Sequence, residues 1–118
     1  MGQGVARLIL AKDGLELVGA LDINPELAGK DVSAVLGGDP VGVAITNDPA
    51  SILDSSKVDV ITIATTSWVK HQLPDLKAIL SAGINVVSIA EEMAAPEAQT
   101  PEAAAEIDAL AKAHGVCA

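Results

Sequence analysis

Gly2 and Gly4 stand at the head of MGQGVARLILAK, Met1 to Lys12, where Val5, Leu8 and Ile9 recur at helical spacing. A first turn without side chains leaves its free N–H groups open to an anion, or lets the helix end lie close against a strand. Asp22 closes the apolar run LELVGALD, Leu15 to Asp22. A carboxylate at the carboxyl end of a strand can accept hydrogen bonds from a ribose diol. It also forms turns, and with Asn24-Pro25 directly behind it both uses of Asp22 stay open. Binding a dinucleotide calls for a strand, a glycine-rich turn, a helix aimed at the pyrophosphate, and an acid about 20 residues later. The helix, its leading Gly2 and Asp22 are present at that spacing; the strand and the first two glycines are not. An acid at that place disfavours a 2′-phosphate, so NAD is favoured over NADP, while Lys30 is close enough in sequence to keep NADP open.

A second group of polar residues follows the apolar runs VDVITIAT and NVVSI. Thr65, Thr66 and Ser67 offer hydroxyls and N–H groups that would border a nicotinamide ribose, or would cap the next helix. Glu91 and Glu92 could line a cofactor crevice, hold a cationic group, or sit in a solvated loop. Trp68, the sole aromatic, is either packing or a pocket wall. His71 reads as structural and His114 as a helix-end residue complementing the dipole. One cysteine and two separated histidines supply neither a nucleophile with its base nor a metal-ligand set, so no catalytic residue is assigned.

The elements that must position these groups follow from the pattern. Val58 to Met93 reads as strand, loop, helix, strand, with Leu73, Leu76, Ile79 and Leu80 on one helical face. Two apolar runs joined by a helix imply a parallel pair, whose ligands bind at the strands' carboxyl ends. Before it, the spacing predicts a strand over Leu15 to Asp22, a loop with a weak helical turn over Pro25 to Leu36, and a strand over Val41 to Thr46. A short helix capped by Asp48-Pro49 should follow. Beyond it lie a loop from Ala94, a helix begun by Thr100-Pro101-Glu102 and stopped at Gly115, and a strand-like stub at Val116 to Ala118. The order is that of an α/β, doubly wound parallel sheet lacking its first strand.

The 118 residues suit a single domain, and half of them are apolar, chiefly Ala, Val, Ile and Leu, as helix-covered parallel strands require. A net charge of -9 argues against nucleic acid and anionic membranes as partners. No apolar run reaches the ~20 residues of a membrane span, and no signal peptide is visible. With Cys117 unable to pair internally, a reducing, cytoplasmic setting is expected.

The stretches MGQGVARLIL, GLELVGALDINPELAGKDV, GINVVSIAEEM and AKAHGV resemble the cofactor domain of 2,4-diaminopentanoate dehydrogenases, relatives of dihydrodipicolinate reductase and of native amine dehydrogenases. The most specific pieces are Asn24-Pro25-Glu26-Leu27 with Gly29-Lys30-Asp31, and Gly83 to Ser88 with Glu91-Glu92. The likeness implies a Rossmann domain binding NAD or NADP, with Gly2 in the tail of the glycine motif and Asp22 as the ribose acid. It implies reversible oxidative deamination of a small, cationic amino-acid-like substrate in a homo-oligomeric enzyme. The family's first strand and leading glycines would precede Met1, and its substrate domain would follow Ala118. The chain is therefore expected to be a truncated cofactor domain without turnover of its own. In the 3-2-1-4-5-6 order the missing strand separates those at Leu15 and Val58. Either these pair directly, or another molecule fills the slot, or the chain is a fragment, the outcome expected here. From another class, a non-catalytic nucleotide-binding or self-associating α/β module would fit the same elements.

Overall fold

Strand-forming segments find partners in two places, one in each of two units, Met1–Ile52 and Leu53–Ala118, of a computed structural model describing residues 1–118. In the first unit α1 (Gly2–Ala11) is followed by β1 (Ala20–Leu21), α2 (Ser33–Leu36), β2 (Ile45–Thr46) and a 3-10 turn over Pro49–Ile52. In the second, β3 (Val60–Ile63) leads to α3 (Val69–Ser81) and β4 (Asn85–Ser88). A 3-10 turn over Glu91–Ala94, α4 (Pro96–Gln99) and α5 (Pro101–His114) complete the chain.

Both strand pairs are parallel, as continuous apolar runs joined by crossovers require. β1 pairs with β2 in the register Ala20 to Ile45 and Leu21 to Thr46, extended by the Asp22 N–H donating to the Thr46 carbonyl at 3.0 Å. β3 pairs with β4 from Val60 opposite Asn85 to Ile63 opposite Ser88. β1 lies in a ladder with β2, and β3 in a ladder with β4.

The first unit departs from expectation in the length of its strands. The run from Leu15 enters a ladder only at Ala20, because parallel pairing needs a facing backbone and β2 supplies two residues. Val41 and Gly42 are not strand. Gly42 has φ 81, and both N–H groups donate to the Asp31 carboxylate, Val41 to Oδ1 at 3.1 Å and Gly42 to Oδ2 at 2.8 Å. Ser33 donates its own N–H to Asp31 Oδ1 at 2.9 Å. These donors, Ser33 first and Val41 next, stabilise the charged form and hold the Asp31 carboxyl at about 2, below its ordinary 3.8. Nor is Pro25 to Leu36 merely loop. Gly29 N–H donates to the Ile45 carbonyl, Ile45 N–H to Lys30, and Val32 N–H to Val43, at 2.8, 2.8 and 2.9 Å, so this segment runs antiparallel beside β2.

The principal core lies in the second unit, where α3 and α5 cover one face of the β3–β4 pair. Ile63, Val69, Leu76, Ile79, Leu80, Ile84, Val86, Ala103 and Ile107 form one buried cluster. Leu76, Leu80 and Ile84 are fully enclosed, each contributing about 1.5–3 kcal/mol relative to exposure. The first unit buries only Val32 and Ile45 among its apolar side chains, and no residue of α1 is buried. Leu8, expected on the inward stripe of α1 with Val5 and Ile9, is 67% exposed, since no element of its unit covers that side. The tail continues the second sheet's edge: the Val86 N–H donates to the Cys117 carbonyl at 2.9 Å and the Cys117 N–H to Asn85 Oδ1 at 3.0 Å. No helix is long and apolar enough to cross a membrane.

Candidate functional site

In the first unit the candidate groups are Gly2, Gly4 and Asp22. Helix α1 has ten residues, its N-cap Met1 makes no side-chain capping bond, and its first turn carries no acid. Its leading N–H groups are thus unclaimed by side chains, the condition an anion needs at a helix start. A side-chain carbon placed on Gly4 would meet nothing within 4 Å, so no strand approaches Gly4; the space there is open. Asp22 is exposed at the end of β1, and its Oδ1 accepts the Asn24 N–H at 2.8 Å. Asn24 repeats the device, its Oδ1 accepting the Glu26 N–H at 3.0 Å. Asp22 is thus a turn former through one oxygen, and its other oxygen has no partner within the chain. The two uses open in the sequence are compatible: Oδ1 fixes the loop and Oδ2 remains able to accept a hydroxyl.

In the second unit the loops after β3 and β4 carry Thr65, Thr66, Ser67 and Glu91, and the structure ties these loops together. The Glu92 N–H donates to the Ser67 carbonyl at 3.4 Å. Ser67's side chain, beside Glu91, lowers the Glu91 carboxyl below its ordinary range, with a backbone hydrogen bond of Glu91 assisting. Glu91 itself is exposed, with its charge secured. Thr65 makes no side-chain bond. Thr66 Oγ1 accepts the Trp68 N–H at 3.4 Å, closing a local turn.

Of the two uses open to Thr65, Thr66 and Ser67, capping of α3 falls to another residue. The Thr65 to Ser67 hydroxyls make no bond to its first-turn N–H groups; Glu92, twenty-three residues on, accepts the Val69 N–H at 2.8 Å on Oε2. Glu92 is therefore a half-buried helix cap through Oε2 instead of a solvated loop residue, and its Oε1 makes no bond within the chain. Trp68 is 52% exposed, so it is not core packing. His71 and His114 are both exposed.

Gln72 escaped notice in the sequence. It is the one buried polar side chain, at 0% exposure, and both ends of its amide are used. Its Nε2 donates to the Thr66 carbonyl at 3.0 Å, and its Oε1 accepts from Ser88 Oγ at 2.6 Å. Ser88 Oγ in turn accepts the Ala90 N–H at 3.0 Å. A glutamine one turn into an amphipathic helix is compositionally ordinary; only its burial marks it out.

Parallel strands with helical crossovers, an acid ending β1, an open glycine-led helix and a hydroxyl-bearing loop after β3 define a Rossmann-like α/β domain of the dehydrogenase and reductase class, which binds nicotinamide dinucleotides. Residues 1–88 match the model of the family described as "Dihydrodipicolinate reductase, N-terminus", and the chain belongs to that family. It is 38% identical over 118 residues, 98% of its length, to a 2,4-diaminopentanoate dehydrogenase of Acetoanaerobium sticklandii, of which it spans 33%. A 4-hydroxy-tetrahydrodipicolinate reductase of Anaeromyxobacter sp. is 32% identical over 111 residues, 94% of this chain and 37% of that protein. Among solved structures, the amine dehydrogenase of Mycobacterium smegmatis superimposes with a TM-score of 0.91 at 37% identity, over 98% of this chain and 34% of that one. The chain thus spans about a third of the length of these relatives.

Proposed function

We propose that the chain is a single NAD-binding cofactor domain of an amine or diamino-acid dehydrogenase of the 2,4-diaminopentanoate type, in a cytoplasmic, homo-oligomeric enzyme. The observation that carries this reading is the exposed Asp22 carboxylate at the end of β1, with one oxygen fixed by Asn24 and the other unpartnered. Identity of 38% to a 2,4-diaminopentanoate dehydrogenase across nearly the whole chain supports the substrate class. When bound, the nicotinamide supplies a hydride acceptor for the amine-bearing carbon. The chain's own residues bind and orient: Gly2 and Gly4 leave the α1 N–H groups to the pyrophosphate, and Asp22 accepts from the adenosine ribose. Thr65, Thr66 and Ser67, with Glu91, border the nicotinamide ribose. A carboxylate at Asp22 repels a 2′-phosphate, so NAD is preferred to NADP despite Lys30 nearby in sequence.

A second reading, a self-associating module without a cofactor, draws on the exposed apolar residues Leu8, Ile23 and Val87. Calorimetric titration with NADH and NADPH, beside sedimentation, separates the two. Saturable NADH binding weakened about tenfold or more in Asp22→Ala, with NADPH weaker than NADH, supports the dehydrogenase reading. Self-association with no affinity for either dinucleotide would refute it.

A further inference from the structure

We propose that Gln72 is a positioning residue whose buried amide sets the backbone of the Thr65–Ser67 loop, and through it the affinity for the dinucleotide. This rests on the functional reading above and extends it to a residue that would touch no cofactor.

Ser67 is tied to the turn after β4 by its side chain, beside Glu91, and by its carbonyl, but Thr65 makes no side-chain bond and Thr66 Oγ1 reaches only the Trp68 N–H, at 3.4 Å. What holds Thr66 is its carbonyl, pulled toward α3 by Gln72 Nε2 at 3.0 Å. An amide can do this reliably only if its own orientation is fixed, and here the far end is fixed. Ser88 Oγ, on β4, donates to Gln72 Oε1 at 2.6 Å and accepts the Ala90 N–H at 3.0 Å. The Thr66 carbonyl can only accept, so the NH2 group faces it and Oε1 faces Ser88, whose hydroxyl proton then points at Oε1. The relay runs from β4 through a helix side chain to the loop after β3. A buried amide costs free energy unless each end is satisfied, and this one is satisfied at both. An aliphatic residue would fill the same core position beside Val69 and Leu76 at no such cost, so packing alone does not account for a glutamine.

Gln72→Met keeps the side chain's length and removes both bonds, and Ser88→Ala removes the hydroxyl that holds the amide's far end and accepts the Ala90 N–H. The sole tryptophan, Trp68, adjoins the loop, is half exposed, and reports on it directly. In the full chain without ligand, Gln72→Met should speed the local anisotropy decay of Trp68 and increase its quenching by acrylamide, with the far-UV dichroism of the helices unchanged. NADH affinity should fall about tenfold in Gln72→Met, less in Ser88→Ala, and no further in the double variant, because the second change acts through the first. Unchanged Trp68 dynamics with unchanged NADH affinity would overturn the proposal, as would additive effects of the two substitutions. Should the wild-type chain bind no dinucleotide, the functional reading fails by itself. Trp68 dynamics unaltered in Gln72→Met or Ser88→Ala would then overturn the loop-setting role too, and altered dynamics would support it.

Discussion

Removing the Glu92 carboxylate should loosen a helix that begins twenty-three residues earlier. The Val69 N–H lies in the first turn of α3, where the N-cap Trp68 provides no side-chain bond and no residue of the turn is acidic. Glu92 Oε2, at 2.8 Å, is the charge that this helix end faces. A hydrogen bond to a charged group contributes about 1.5–3 kcal/mol, and a carboxylate at a helix start about 0.3–1 kcal/mol through the dipole. Because Glu92 is only half-buried, the lower end applies: about 1.5 kcal/mol for Glu92→Ala, a fall in Tm of about 6 °C. Glu92→Gln keeps an acceptor and loses the charge, so it should fall about half as far. Thermal unfolding followed by far-UV dichroism at low salt and at about 1 M NaCl measures both, and the gap between wild type and Glu92→Gln should narrow with salt as the charge is screened. Amide exchange of the α3 N-terminal peptide should rise in parallel. Glu92→Ala melting within about 1 °C of wild type, or a gap indifferent to salt, would refute the capping assignment.

Asp31 clasps the segment from Ser33 to Gly42 through backbone donors, so Asp31→Asn should raise amide exchange at Val41 and Gly42, read by NMR. Its folded pKa of about 2 lies below the ordinary 3.8, so the clasp is fully stabilising above about pH 4 and is lost as pH falls through about 2. The stability difference between wild type and Asp31→Asn should therefore be constant at neutral pH and close under acid. Gly4→Ala should stabilise the free chain by about 0.5–1 kcal/mol, because it removes a glycine from a helix where the added carbon meets nothing. The same substitution should weaken NADH binding if the cofactor's phosphates approach there. A stabilised variant with unchanged affinity would remove Gly4 from the site.

How much of this was legible in the residues varies with the range of the interactions. The helix α5 begins at Pro101 and ends at Gly115 as its sequence suggests, because a proline tolerated in the first turn and a glycine at φ 66 are local signals. The parallel β3–β4 pair was equally plain, since a 13-residue amphipathic helix between two apolar runs leaves few other connections. At the candidate site, Asp22 stood out because its place at a strand end is written in the run before it. Gln72 and Glu92 did not, because a lone glutamine and a pair of loop glutamates have many ordinary uses. Their roles come from partners sixteen and twenty-three residues away.

Taken alone, the order of residues determined the α/β class, the parallel sense of the strands and the glycine stop at Gly115, all of which arise from periodicity and backbone sterics within a few residues. Tertiary structure decided where α3 starts. The apolar spacing begins at Leu73, yet the helix opens at Val69, whose N–H donates to Glu92 from across the fold. It also decided that Val41 and Gly42 serve the Asp31 carboxylate instead of a strand, and that Leu8 faces outward. Each of these depends on which distant group supplies a donor, an acceptor or a covering surface, and such partners are set by packing and cannot be read from local spacing.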